Sequence, residues 1–202
     1  MKTQIKLIIF DAYGVCLNEG YPNTSKYLAK KYKMNWHQVQ NILYTKYFNL
    51  AAVKQISQNE AWEKAIKELK LPLTTDQLKK IHFGLMRLNP KILNLANQLK
   101  KNFKITLLSK NTRQQFKITK QKFPELEKIF GKNTINTWEH NLPKASEKTV
   151  NFLSNKFKVS PKEMLYIDDQ EINLAIPKKL GVKTIFYKNF KQVQTEIQKY
   201  LK

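Results

Sequence analysis

Two rhythms of apolar residues divide the chain. Between Tyr21 and Met86 they recur at helical spacing: Val39, Ile42, Leu43 and Tyr47 follow Asn35; Trp62, Ala65, Ile66 and Leu69 follow Asn59; Leu78, Ile81 and Leu85 follow Thr75. Residues three and four apart share one face of a helix, and an Asn or Thr ahead of them can accept from the first free N–H groups. No part of this stretch reads as a strand, so it predicts an all-helical segment of about four helices.

Elsewhere the rhythm alternates. Short β-rich apolar runs at 5–10, 104–108, 134–136, 164–167 and 183–186 are separated by helical patterns. One helix carries Ile92, Leu95, Ala96 and Leu99, and another runs to about Phe123. Further helices are expected at 148–157 and 173–180, with Gly181 as a C-terminal cap, and a tail helix aligns Phe190, Val193, Ile197 and Leu201. Ser160-Pro161-Lys162-Glu163 has the serine, proline and glutamate of a capped helical turn. Apolar strands alternating with helices predict an α/β fold, a doubly wound parallel sheet covered on both faces. The expected organisation is a core of residues 1–20 and 87–202, interrupted by a helical insert at 21–86.

Composition narrows the setting. No apolar run approaches the roughly 18 residues of a membrane span. The first ten residues lead straight into the first strand, leaving no room for a signal peptide. Cys16 is the only cysteine, so no internal disulfide forms and a cytoplasmic setting is expected. The formal charge is +22, yet only Arg87 and Arg113 are arginine. Lysines scattered along every segment, with arginine nearly absent, argue for a Lys-, Asn- and Ile-rich composition rather than a nucleic-acid interface. The positive field still favours a small anionic partner.

The candidate chemistry sits at strand ends. Asp11 closes the first run, Ser109 the second, Asp168-Asp169 the fourth, and Lys144 follows the third. In an open parallel sheet the carboxyl ends converge on one crevice, so residues distant in sequence can share a site. There a carboxylate can attack an electrophile and a lysine can neutralise an anion. A serine can donate to a phosphate oxygen, and an acidic pair can hold Mg²⁺, which prefers oxygen ligands.

Four motifs carry a family resemblance: Asp11-Ala12-Tyr13-Gly14-Val15, Leu107-Leu108-Ser109-Lys110-Asn111, Leu142-Pro143-Lys144-Ala145, and Tyr166-Ile167-Asp168-Asp169. In this order the chain resembles the haloacid dehalogenase (HAD) superfamily over essentially its whole length, with 21–86 in the place of the helical (C1-type) cap. The resemblance implies a Rossmann-like core and a hydrolase in which Asp11, Tyr13, Ser109 and Lys144 are catalytic. It also implies substrate binding by Ser109, Lys110, Asn111 and Lys144. Mg²⁺ would lie among Asp11, the Tyr13 carbonyl, Asp168 and Asp169.

Position 13 departs from the phosphatase pattern. HAD phosphatases carry a second aspartate there as general acid, whereas Tyr13 in an Asp-Ala-Tyr-Gly string resembles the 2-haloacid dehalogenases. The Asp168-Asp169 pair resembles the metal-binding phosphatase version instead. Neither arginine stands where a dehalogenase cap arginine would, and Val150 takes the place of its tyrosine. A Mg²⁺-dependent phosphatase acting on a small phosphorylated metabolite through an aspartyl-phosphate on Asp11 is the expected function. A metal-independent dehalogenase acting on a halogenated acid, and a catalytically weakened anion-binding or regulatory protein, are the alternatives. His37, His82 and His140 show no metal-ligand spacing and read as surface or core histidines. Trp36, Trp62, Tyr27, Tyr32, Tyr44 and Tyr47 read as core of the helical insert.

Overall fold

The computed structural model describes residues 4–201. Five strands, β1 (Leu7–Asp11), β2 (Lys104–Ser109), β3 (Thr134–Asn136), β4 (Met164–Asp168) and β5 (Lys183–Phe186), form one sheet in the order β3-β2-β1-β4-β5. Every pairing is parallel, so the fold is the doubly wound α/β architecture the alternating pattern predicts. β1 and β4 are buried at every position. That is why they read as unbroken apolar runs rather than as alternation. Their register sets Asp11 against Leu108 and Phe10 against Ile167, which places Ser109 and Asp168 one step beyond the two partners.

The chain divides into two compact units: residues up to 17 with 88–110 and 120 onward, and residues 18–87 with 111–119. The second unit is helical, as expected, but it also takes in nine residues that follow β2, which the sequence pattern had left with the core.

In the helical unit α1 (Gly20–Tyr32) is followed by α2 (Trp36–Gln40), capped by Asn35, whose side chain accepts from the His37 and Gln38 N–H groups. A π-helical stretch (Asn41–Phe48) joins it to α3 (Asn49–Ala52). The cap of α4 (Gln58–Glu68) is Ser57, not Asn59, and that of α5 (Thr75–Leu85) is Thr74, in a reciprocal capping box with Gln77. Trp62 lies in the core of this unit at 2% exposure, whereas Trp36 and Tyr27, each 39% exposed, stand outside it. This corrects the reading of all these aromatics as core.

In the α/β unit α6 (Pro90–Leu99) starts at Asn89 with proline in its first turn. α7 (Arg113–Lys122) straddles the two units, and α8 (Pro124–Phe130) follows it at once. α9 (Glu147–Phe157), α10 (Glu171–Lys179) and α11 (Phe190–Ile197) complete the alternation. The Ser160–Glu163 capping box forms as expected, and Gly181 takes φ +93° just past α10. One face of the sheet buries Leu7, Ile9, Leu108, Ile135 and Tyr166 against Val150, Leu153 and Phe157 of α9 and Leu174 of α10. Among the described residues no helix is long and apolar enough to cross a membrane.

Candidate active site

The carboxyl ends of β1 and β4 bring Asp11, Asp168 and Asp169 together, each offering a carboxylate oxygen within 4.8 Å of the others. Asp11 is 1% exposed and Asp168 fully buried. Both are therefore carboxylates taken out of water, which is costly unless charges or donors answer them.

The two are answered differently. Asp168 is saturated. Its Oδ1 accepts from the Gln170 N–H at 2.9 Å and from Asn173 Nδ2 at 3.0 Å. Its Oδ2 accepts from the Tyr166 hydroxyl at 2.5 Å and from Lys144 Nζ at 3.0 Å. Asp11 is half satisfied. Its Oδ1 accepts from the Ala12 N–H at 2.6 Å and from Lys144 Nζ at 2.5 Å, but Oδ2 is buried with no partner. Asp169 Oδ1 is likewise buried and unpartnered. Orphaned buried acceptors of this kind are rare in folded proteins and call for an explanation.

Lys144 ties Asp11 to Asp168, and its loop is held from behind. The Thr149 hydroxyl donates to the Pro143 carbonyl at 2.5 Å, and Ser146, the cap of α9, donates to the same oxygen at 3.1 Å.

Gly14 makes the close packing possible. Its φ is +104°, and a Cβ built on it would lie 2.1 Å from Asp169 Oδ2. Any side chain there would displace the carboxylate. Leu17 N–H donates to the Ala12 carbonyl at 2.7 Å and Gly14 N–H to the Leu17 carbonyl at 2.8 Å, closing the turn that carries Tyr13.

The charges do not balance. Burial, with repulsion from Asp168 and Asp169, holds Asp11 well above the usual carboxylate range against the pull of Lys144. Burial and then Asp168 raise Asp169 as well. Burial works against the Lys144 ammonium, but Asp11 and Asp168 together outweigh it and hold the group above its ordinary value. Three carboxylates face one firmly charged lysine, and among the described residues no second cation pairs with them. An oxygen-rich, negatively charged centre with unpartnered oxygens suits a hard divalent cation such as Mg²⁺.

The other expected site residues divide. Ser109, fully buried at the end of β2 and beside Asn136 across the ladder, has a hydroxyl with no partner. Lys110 is half-buried, and burial and then Lys144 pull its amine down. Asn111 is buried and falls in the helical unit, where its Oδ1 accepts from the Thr112 N–H at 3.1 Å. Tyr13 lies in the turn after β1, bridged to Leu17. Sequence reasoning missed Tyr166 as a partner of the acidic pair. Its signal was present, because residues two apart on a strand share a face and Tyr166 stands two before Asp168.

A parallel sheet that gathers carboxylates and a lysine at its carboxyl edge defines the class as a doubly wound α/β protein with an acidic centre. The family model of haloacid dehalogenase-like hydrolases matches residues 5–181, and the chain belongs to that family. No curated protein matches it in sequence. Among solved structures it is similar to a predicted HAD-like family hydrolase from Porphyromonas gingivalis (20% identity, 98% of each chain covered, TM-score 0.75). It is also similar to a HAD family enzyme from Bacteroides thetaiotaomicron in complex with magnesium and inorganic phosphate (21% identity, 91% of this chain and 94% of that one, TM-score 0.71). A dehalogenase with an intermediate complex is a further neighbour (15% identity, 91% and 85% covered, TM-score 0.70). At these identities the neighbours establish the fold.

Proposed function

We propose that the chain is a Mg²⁺-dependent phosphatase-type hydrolase of small phosphorylated metabolites, working through an aspartyl-phosphate on Asp11. The observation that carries this reading is the pair of buried, unpartnered oxygens, Asp11 Oδ2 and Asp169 Oδ1, in a centre short of positive charge. A cation would be held by Asp11, Asp169 and the Tyr13 carbonyl. Asp168, its oxygens already filled by Tyr166, Asn173, Gln170 and Lys144, would aim Lys144 rather than give up a lone pair. Bound Mg²⁺ would supply charge neutralisation for the carboxylates and the phosphoryl oxygens. Asp11 attacks phosphorus and displaces the substrate's alkoxide, which takes its proton from water because Tyr13 supplies no carboxylic acid. Lys144 and the Ser109 hydroxyl hold the phosphoryl oxygens, and a second water then cleaves the aspartyl-phosphate to inorganic phosphate and the free Asp11 carboxylate. The magnesium and phosphate bound to the Bacteroides neighbour support the same chemistry here.

The second reading is the dehalogenase, favoured by Tyr13 in the place of a general acid and by the dehalogenase among the neighbours. A halide leaves without a proton, an alkoxide does not. The test is phosphate release from an aryl phosphate and an alkyl phosphate, with and without Mg²⁺, for the wild type, Asp11→Asn and Tyr13→Asp. The phosphatase reading expects an absolute Mg²⁺ requirement, an inactive Asp11→Asn, and a gain of about 10²-fold or more on the alkyl substrate in Tyr13→Asp. Halide release from a 2-haloacid without metal, and no phosphate release, would transfer the function to the second reading.

A further inference from the structure

The helical unit contains a buried chain of hydrogen bonds that ends on the turn after β2. The Thr112 hydroxyl donates to Gln58 Oε1 at 3.0 Å, and Gln58 Nε2 to the Tyr21 hydroxyl at 3.1 Å. Tyr21 donates to Gln115 Oε1 at 3.3 Å, and Gln115 Nε2 meets His82 Nε2 at 2.8 Å. His82 Nδ1 meets the Thr24 hydroxyl at 2.8 Å, and that hydroxyl donates to the Gly20 carbonyl at 2.9 Å. All six side chains are 5% exposed or less.

The protons of this chain can be assigned by elimination. The single hydrogen of Thr24 Oγ1 goes to Gly20, so His82 Nδ1 must be the donor to Thr24. His82 Nε2 is then the acceptor for the Gln115 amide, and every bond points one way. Burial pulls the imidazole down to about 3, so His82 stays neutral in this tautomer throughout the ordinary pH range.

The chain holds three elements of the helical unit, α1 (Gly20, Tyr21, Thr24), α4 (Gln58) and α5 (His82), and ties them to Thr112 and Gln115. The Gln115 N–H closes back on Thr112 Oγ1 at 3.3 Å. Thr112 in turn donates its N–H to Asn111, and Asn111 follows Ser109 and Lys110 directly. So Asn111, Thr112 and Gln115, the members of the helical unit that follow Ser109 and Lys110 in sequence, are held within that unit by one directional network.

We propose that Gln58, Tyr21, Gln115 and His82 are positioning residues for Asn111 and Thr112, setting the groups with which this segment meets an anion. The inference rests on the proposed anion-binding role of Ser109, Lys110 and Asn111. Fully satisfied buried networks fix one arrangement, and removing a member leaves the others unpaired in a dry interior. Gln115→Leu removes the donor to His82 Nε2 and the acceptor of the Tyr21 hydroxyl, while Tyr21→Phe keeps the ring and cuts the link between Gln58 and Gln115. His82→Gln retains an acceptor and a donor.

The experiment measures inorganic phosphate binding by calorimetry in saturating Mg²⁺, Mg²⁺ binding alone, and amide hydrogen exchange over residues 109–116, for the wild type and the three variants. Expected are exchange about tenfold faster over 109–116 and phosphate binding weakened about tenfold in Gln115→Leu. Tyr21→Phe, the variant least apt to disturb folding, should show smaller changes of the same kind, and His82→Gln should stay near wild type. Mg²⁺ affinity should be unchanged throughout. Unaltered exchange over 109–116 in folded Gln115→Leu and Tyr21→Phe overturns the proposal, as does faster exchange with unaltered phosphate affinity. If the wild type binds Mg²⁺ but no phosphate, the phosphatase reading fails by itself, and the exchange result still decides whether the network holds the turn.

Discussion

The two units bury polar groups in opposite ways. At the carboxyl edge of the sheet, like charges are packed together, two carboxylate oxygens have no partner, and Asp11 and Asp169 are pushed towards their protonated forms. In the helical unit the groups from Thr112 to Thr24 are neutral, paired and directional. The first arrangement raises the energy of the chain alone and would be relieved by an added cation. The second is complete without a ligand. A deficit of counter-charge in one unit and full satisfaction in the other set the proposed site of action apart from a self-sufficient scaffold, without reference to any relative.

The sharpest way to break the comparison is to remove Lys144, the cation paired with the acidic centre among the described residues. Lys144→Met keeps most of the side-chain volume but leaves Asp11 and Asp168 without the ammonium that lies 2.5 and 3.0 Å from them. Breaking one side of a buried charge cluster costs about 3–5 kcal/mol. Denaturant unfolding at pH 7 should show that loss, and should show part of it restored as pH is lowered and the raised Asp11 and Asp169 take up protons. A loss below about 1 kcal/mol would mean the carboxylates are better hydrated than their burial indicates.

Much of this centre was legible before any coordinates. The five apolar runs became the five strands because a strand buried on both faces leaves no room for polar alternation, and Asp11, Ser109 and Asp168 were readable as strand ends. The alternation of strands with helices implied a parallel, doubly wound sheet, but the order β3-β2-β1-β4-β5 is set by long-range pairing that no single run announces. What stayed hidden is local chemistry or long-range pairing. α8 was missed because Pro124 reads as a stop, yet it occupies the first turn of a new helix. The caps of α4 and α5 each lie ahead of the residue the pattern suggested, since a cap precedes the first helical residue. The π-helical stretch has the same apolar spacing as an α-helix and could not be told from one. His82 read correctly as a core histidine, but its partners at Thr24 and Gln115 come from segments that only the fold joins.

A smaller effect tests how tightly the acidic centre is built. In Gly14→Ala the new methyl group would meet the Asp169 carboxylate at 2.1–2.6 Å, in a backbone conformation with φ +104° that alanine rarely adopts. The strain of such a residue is about 1–3 kcal/mol, and relief requires Asp169 to swing away. The variant should therefore lose Mg²⁺ affinity more than stability, as read by calorimetric titration beside a melting curve. Unchanged Mg²⁺ binding would remove Asp169 from the ligand set.

The gentlest test uses pH, because the two regions must respond with opposite sign. Asp169 has a folded pKa above its unfolded value, so its folded form favours the proton. Its cost is absent below the unfolded pKa near 3.8 and appears as pH rises through the raised value. Replacing it by asparagine, in EDTA, should leave stability unchanged near pH 4 and raise it by pH 7, by about 2–4 °C of Tm for each kcal/mol. Saturating Mg²⁺ should reverse that advantage, because only the wild type then has its counter-charge. His82 runs the other way. Its folded pKa, about 3, lies below the unfolded 6.5, so the stability it contributes is complete above 6.5 and drains away as the unfolded chain takes up the proton below it. Between pH 6 and 4 the wild type should lose up to about 1.4 kcal/mol more per pH unit than His82→Gln, and above pH 7 the two profiles should run parallel. Parallel profiles through the acid range as well would mean that water reaches His82 and that the network is not sealed, while a divergence confined to pH below 6.5 ties the slope to this one imidazole.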